Sequence, residues 1–160
     1  MPEVIDAMAI RANLRIERRA ATDGRLLGVI EEANLSPTVA RNLLRDFLFG
    51  DAVTGLNYFA AGTGSTAPAA TDTQLGVEVF RDTWTTLTKT ADGVLQMQYY
   101  LGTGSANGST IAEAGAFGNG ATAAANSGTL YARATFTPTA KTNAEAWTFT
   151  WTFTLTPSTS

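Results

Sequence analysis

Trp147-Thr148-Phe149-Thr150-Trp151-Thr152-Phe153-Thr154-Leu155-Thr156 is the stretch that decides the fold. Trp147, Phe149, Trp151, Phe153 and Leu155 fall on one face, and five threonines fall on the other. Strict period-two alternation predicts a β-strand with one dry face and one hydroxyl-lined face. At about 3.3 Å per residue the strand runs roughly 30 Å, longer than most. Complete burial of its five apolar side chains would contribute about 8–15 kcal/mol as an upper bound. Such a face needs an equally apolar sheet opposite it. The expected fold is therefore mainly β: an antiparallel β-sandwich with this strand as a structural core strand.

Composition narrows the chemistry. The chain has 160 residues, with no Cys and no His. Disulfides and thiolate metal sites are excluded, and the commonest general base and zinc ligand is missing. Net charge is −3, from eleven basic and fourteen acidic residues. That balance is too mild to point to nucleic acid or an anionic membrane as the main partner. No secretory signal and no run of membrane-spanning length is visible, so the chain is expected to be made in a cytoplasm. Its Thr-, Gly- and Ala-rich second half nonetheless reads like a surface protein, a combination that suits a component of a virus particle.

Charge is unevenly placed. Residues 1–82 hold eight arginines and eleven acids, whereas residues 83–160 hold only Lys89, Arg133, Lys141, Asp92, Glu113 and Glu145. The division expected from this is an N-terminal arm, 1–33, followed by a β-sandwich domain, 34–160. In the arm, Leu14 and Ile16 share one strand face, and Asp23-Gly24 supplies the positive φ of a tight hairpin turn. Arg11, Arg15, Arg18 and Arg19, with Leu14 and Ile16, form a candidate docking arm, with Glu17, Glu31 and Glu32 placed to answer the arginines across the hairpin.

Ser36-Pro37 is expected to open a helix over about 37–49, with Ser36 as N-cap and Gly50 as the stop. Val39, Leu43, Leu44, Phe47 and Leu48 recur at helical spacing, a stripe expected to pack on a sheet. Further strands are expected at Leu56–Ala61, Thr83–Thr90, Val94–Leu101, Ile111–Phe117 and Leu130–Thr137. Leu75–Arg81 reads as extended or as a short helical turn. Residues 102–110 and 118–128 read as glycine-rich loops, the second one flexible.

Gly62-Thr63-Gly64-Ser65-Thr66-Ala67 matches a dinucleotide-binding spacing, but Pro68 follows at once and no helix opens there, so a plain turn is expected. Among carboxylates, Asp72, Glu78, Asp82 and Glu113 lie in or near loops, and nothing in their spacing sets up a catalytic pair. Asp72 suits a turn cap, and Glu113 suits a pair with an arginine such as Arg133. The expected catalytic, cofactor-binding and metal residues are none.

Several segments resemble a group of small tailed-bacteriophage virion proteins. They are Asn34 with the helix that ends at Gly50, Gly62 to Leu75 with its Thr-Ala-Pro-Ala-Ala-Thr-Asp-Thr string, and Glu78 to Arg81. Glu113 to Phe117, Gly128 to Arg133 and the closing Thr/Trp-rich strand continue the same order. The resemblance covers about residues 34–156. It implies a non-enzymatic structural protein of the virion, a head decoration (cement) protein or a tail, baseplate or fibre subunit. The partners it implies are other copies of the chain, as in a trimer, and the major capsid protein or other virion subunits, with no membrane and no nucleic acid. The alternative from a different class is a carbohydrate- or receptor-binding module using loops 102–110 and 118–128, with Tyr99, Tyr100 and Tyr131 as stacking residues.

Overall fold

The computed structural model describes residues 8–157. Nine strands and one helix follow in order: β1 (Met8–Ala20), β2 (Leu26–Ala33), α1 (Thr38–Phe49), β3 (Leu56–Gly62), β4 (Glu78–Thr83), β5 (Thr86–Ala91), β6 (Val94–Leu101), β7 (Thr110–Gly118), β8 (Thr129–Ala140) and β9 (Glu145–Pro157). They form two antiparallel sheets, β2-β1-β9-β6-β5 and β4-β3-β7-β8, the expected sandwich. The hairpin turns at Asp23-Gly24 and Asp92-Gly93 have glycine at φ 70° and 69°, as Asp-Gly turns require.

The quoted alternation places β9 at the centre of the larger sheet, between β1 and β6. Trp147, Phe149, Trp151 and Phe153 are buried, while Leu155, expected to be buried with them, is 41% exposed. It lies near the end of β9, opposite Ile10. Across the sandwich Phe59 stacks on Tyr99 with ring centroids 4.5 Å apart and packs against Phe149 at 4.7 Å, while Trp84 meets Trp151 edge-on at 6.5 Å. Small residues of β7 and β8 (Ala114, Ala116, Ala132, Ala134) leave room for these rings.

The middle of the smaller sheet is buried on both sides. All residues from Ile111 to Gly118 are inaccessible, the near-continuous burial of a strand covered on both faces. Its outer face carries a second core of Ala60, Leu75, Phe117, Ala121 and Leu130. Helix α1 and the loops 63–77 and 119–128 form this third layer.

Two expectations are corrected here. Residues 8–33, the described part of the expected arm 1–33, are not a unit apart from the sandwich. β1 pairs with β9 from Met8↔Pro157 to Ala20↔Glu145, and Leu14 and Ile16 are fully buried in the main core. Alternation explains the misreading: Arg11, Arg15 and Arg19 share a strand with Leu14 and Ile16 but face outward, so charge density marks a sheet's wet face, not a separate arm. The helix is also shifted. Pro37, not Ser36, is its N-cap, with no side-chain capping bond. Only Ala40 and Leu43 of the helix are buried, and Phe47 and Leu48 of the expected stripe are exposed. Gly50 ends the helix at φ 99° as expected, its N–H meeting the Asp46 and Phe47 carbonyls.

Deleting residues 1–33 removes β1 and half the pairing of β9. The truncated chain is expected to lose its cooperative urea transition and its near-ultraviolet circular dichroism; a sharp transition in the truncated chain would restore the separate-arm reading.

Candidate functional site

The densest polar cluster in the described residues lies where loop 63–77 crosses the outer face of the smaller sheet. Glu113, on β7, is 0% exposed, and Arg133, on β8, is 3% exposed. The Arg133 Nε and Nη2 meet Glu113 Oε2 at 2.9 and 2.8 Å. The same carboxylate accepts three backbone N–H bonds from the loop: Gly64 at 3.0 Å, Gly76 at 3.0 Å and Val77 at 2.8 Å. Arg133 Nη1 donates to Asp72 Oδ2 at 2.8 Å, and Nη2 donates to the Thr66 carbonyl at 3.0 Å. Asp72 also accepts from the Ala69 N–H at 2.9 Å, the turn cap that its position suggested. Burying a charge is tolerable only when paired and fully hydrogen-bonded, and here each oxygen of Glu113 and each nitrogen of the Arg133 guanidinium has a partner.

This geometry accounts for the glycines. A Cβ on Gly62 or Gly64 would collide with the Glu113 carboxylate. The Gly-Thr-Gly segment is a bare backbone path past a buried carboxylate, with no helix to receive a pyrophosphate.

A second clasp holds loop 119–128. Glu78 and Arg81 form a bidentate pair at 2.7 and 2.8 Å. Their side chains are 2% and 3% exposed. Arg81 Nη1 donates to the Ser127 carbonyl at 3.1 Å, the Asn126 N–H donates to Glu78 at 3.1 Å, and the guanidinium lies 4.1 Å above the Phe117 ring. The loop expected to be flexible is therefore tied at two backbone points. A third tie joins Asn34 to the core: the Trp151 indole N–H donates to Asn34 Oδ1 at 3.1 Å. The Glu78–Arg81 role was not read from the sequence, although the Glu-x-x-Arg spacing was visible.

The remaining candidates disperse. Arg15 pairs with Glu17 and Glu31, Arg19 with Glu17, and Arg18 with Glu145. The hydrogen bonds from Arg15 and Arg19 hold the Glu17 carboxyl below its ordinary range. Arg11 makes no ion pair among the described residues. Asp82 accepts the Tyr99 hydroxyl at 3.1 Å; burial, then this carboxylate, pushes the Tyr99 phenol up. Of the three tyrosines, Tyr99 is stacked in the core, Tyr131 packs edge-on against Phe153, and only Tyr100 is open, at 56% exposure.

Lys141 was not singled out by sequence. It is fully buried, its Nζ donating to Asn107 Oδ1 at 3.2 Å and to the Thr142 carbonyl at 2.9 Å. It pins loop 102–109 to the end of β8. Burial pulls its pKa down, opposed by the field of Glu145.

Comparison with family models, with curated proteins and with solved structures returns no match.

Replacing Glu113 by Gln leaves Arg133 buried without its full counter-charge. The expected loss is about 3–5 kcal/mol in urea denaturation, against less than about 0.5 kcal/mol for the surface change Thr88→Ala. Lys141 gives a pH test. Its folded-state pKa lies below the ordinary 10.5, so the unfolded chain binds more protons between the two values. Stability contributed by this group therefore rises as pH climbs toward 10.5. The difference in stability between the parent chain and Lys141→Met is expected to shift in the parent's favour over that window; a flat difference would show the amine is not desolvated.

Proposed function

We propose that the chain is a non-enzymatic structural protein of a tailed-phage virion, a capsid decoration (cement) protein that binds and stabilises the assembled shell. The observation that carries this reading is the fate of the residues behind the resemblance. Gly62, Gly64, Asp72, Glu113 and Arg133 form one internal clasp, Glu78 and Arg81 form another, and Asn34 holds Trp151. The charged ones bond to the protein itself. A motif spent on locking loops is what a rigid building block needs, and it leaves no poised acid, base or nucleophile for turnover.

Surface features support the same reading. Phe47, Leu48 and Phe49 at the end of α1 are 62%, 74% and 84% exposed. Beside them opens a groove of about 320 Å³ whose walls include Leu43, Leu44, Phe47, Val53, Leu95 and Tyr131. Aromatic and leucine side chains beside a groove suit contact with a shell subunit. A sugar-binding role is less well supported, because two of its three stacking candidates are committed to packing.

The test is copy number in purified particles, by quantitative mass spectrometry against the major capsid protein. A ratio near one per capsid subunit is expected. A few copies per particle would move the protein to the tail or baseplate, and absence from particles would overturn the virion reading.

A further inference from the structure

β2 is shorter than the strand it flanks. It pairs with β1 only over Asn13–Arg19, while β9 follows β1 from Met8 to Ala20. From Met8 to Arg11, β1 is therefore a sheet edge. The Ala12 carbonyl turns toward this side and accepts the Asn34 N–H at 3.5 Å. Backbone groups alternate sides along an antiparallel strand, so the N–H and C=O of Ile10 point the same way, where no described strand meets them. Alongside lies a groove of about 520 Å³, whose walls include Ile10, Asn34, Leu35, Ser36, Arg41 and Ala70. An open edge beside a groove is the geometry of strand addition.

We propose that this edge takes residues 3–6 of a second copy, added antiparallel about a two-fold axis, so that each chain completes the other's β1. The residues ahead of β1 are Pro2-Glu3-Val4-Ile5-Asp6-Ala7. Even-numbered residues of β1 carry the backbone groups that face the edge, and a symmetric ladder must set even residues opposite even ones. The register with Val4 opposite Ile10 and Glu3 opposite Arg11 has Ala7 on the axis and sets residues 3–6 opposite the open edge, 8–11. Setting Asp6 opposite Ile10 instead would drive Val4 and Glu3 onto Ala12 and Asn13, which Asn34 and Ala33 already face. Charge and apolar matching favour the first register as well. Arg11 is exposed and has no ion-pair partner among the described residues, and a facing carboxylate from the other copy supplies one. The added ladder stops at Arg11, because Asn34 already occupies the place opposite Ala12. The contact is isologous and closes at two copies.

This inference does not depend on location in a virion. A dimer that is absent from particles would keep the interface and remove the virion reading. A particle protein that is monomeric in solution would do the reverse.

The chain has no cysteine, so engineered cross-links are unambiguous. A chain carrying both V4C and I10C is expected to oxidise to a covalent dimer, since paired residues of this kind lie about 5.5 Å apart, within disulfide reach. By light scattering the unmodified chain should have twice the mass of the 16.8 kDa protomer. Glu3→Arg should weaken the dimer about tenfold, because two like-charge pairs form at once, and Arg11→Glu added to it should restore affinity. A monomeric parent chain, a disulfide formed within one chain, or a dimer indifferent to both charge changes would each overturn the proposal.

Discussion

The Glu113–Arg133 pair is the constraint on which the outer layer depends. It joins adjacent strands of the smaller sheet, and around it two separate segments are fixed. Loop 63–77 hangs on the carboxylate by three N–H bonds. Asp72 and the Thr66 carbonyl hang on the guanidinium. The stretch before α1 hangs on the Arg133 backbone, where Leu35 and Arg133 exchange N–H···O bonds at 3.0 Å each. Removing water from two charges is costly, and that cost is offset only if the loop arrives in one conformation with its donors aligned. The pair thus stabilises one loop conformation strongly and all others poorly. It specifies structure more than it adds net energy.

A division of labour follows between the two sheets. The larger one supplies apolar area, through the aromatic and aliphatic faces of β9, β6 and β1. The smaller one supplies a thin, small-residue septum in which Ala60, Ala61, Ala114, Ala116, Ala132 and Ala134 let both cores approach. Gly115 belongs to the same design: a Cβ there would press on Leu75, Phe117 and Leu130. The polar clasps are confined to the side of this septum away from the aromatic core.

The parts of the fold legible in the sequence are those with short-range physical signatures. β9 was readable because Trp/Phe and Thr alternate without a break, and the hairpins at Gly24 and Gly93 because Asp-Gly demands positive φ. The Glu113–Arg133 pairing was accessible as an alternative, since few other charges occur after residue 83. What could not be read was long-range. Nothing local in Leu14 or Ile16 indicates that their neighbours are Trp151 and Phe149, more than 130 residues away. The two clasps were equally hidden, because a buried carboxylate and a solvated one have the same sequence. Helix periodicity overreached at Phe47 and Leu48, where the stripe continues past the sheet that receives it.

The position of β9 has a consequence for synthesis. Every other strand precedes it in the chain, yet it sits between β1 and β6 and is the only strand that joins them. While the ribosome is still making residues 102–144, the β1–β2 and β5–β6 hairpins have no shared partner. Leu14, Ile16, Met97 and Tyr99 lack the strand that pairs beside them, and both hairpins carry open backbone edges. The larger sheet therefore closes only after translation has passed β9, in a late step governed by non-local pairing. Until then the nascent chain exposes two hairpins with open edges and apolar faces, the features that make an incomplete fold prone to pair with its neighbours.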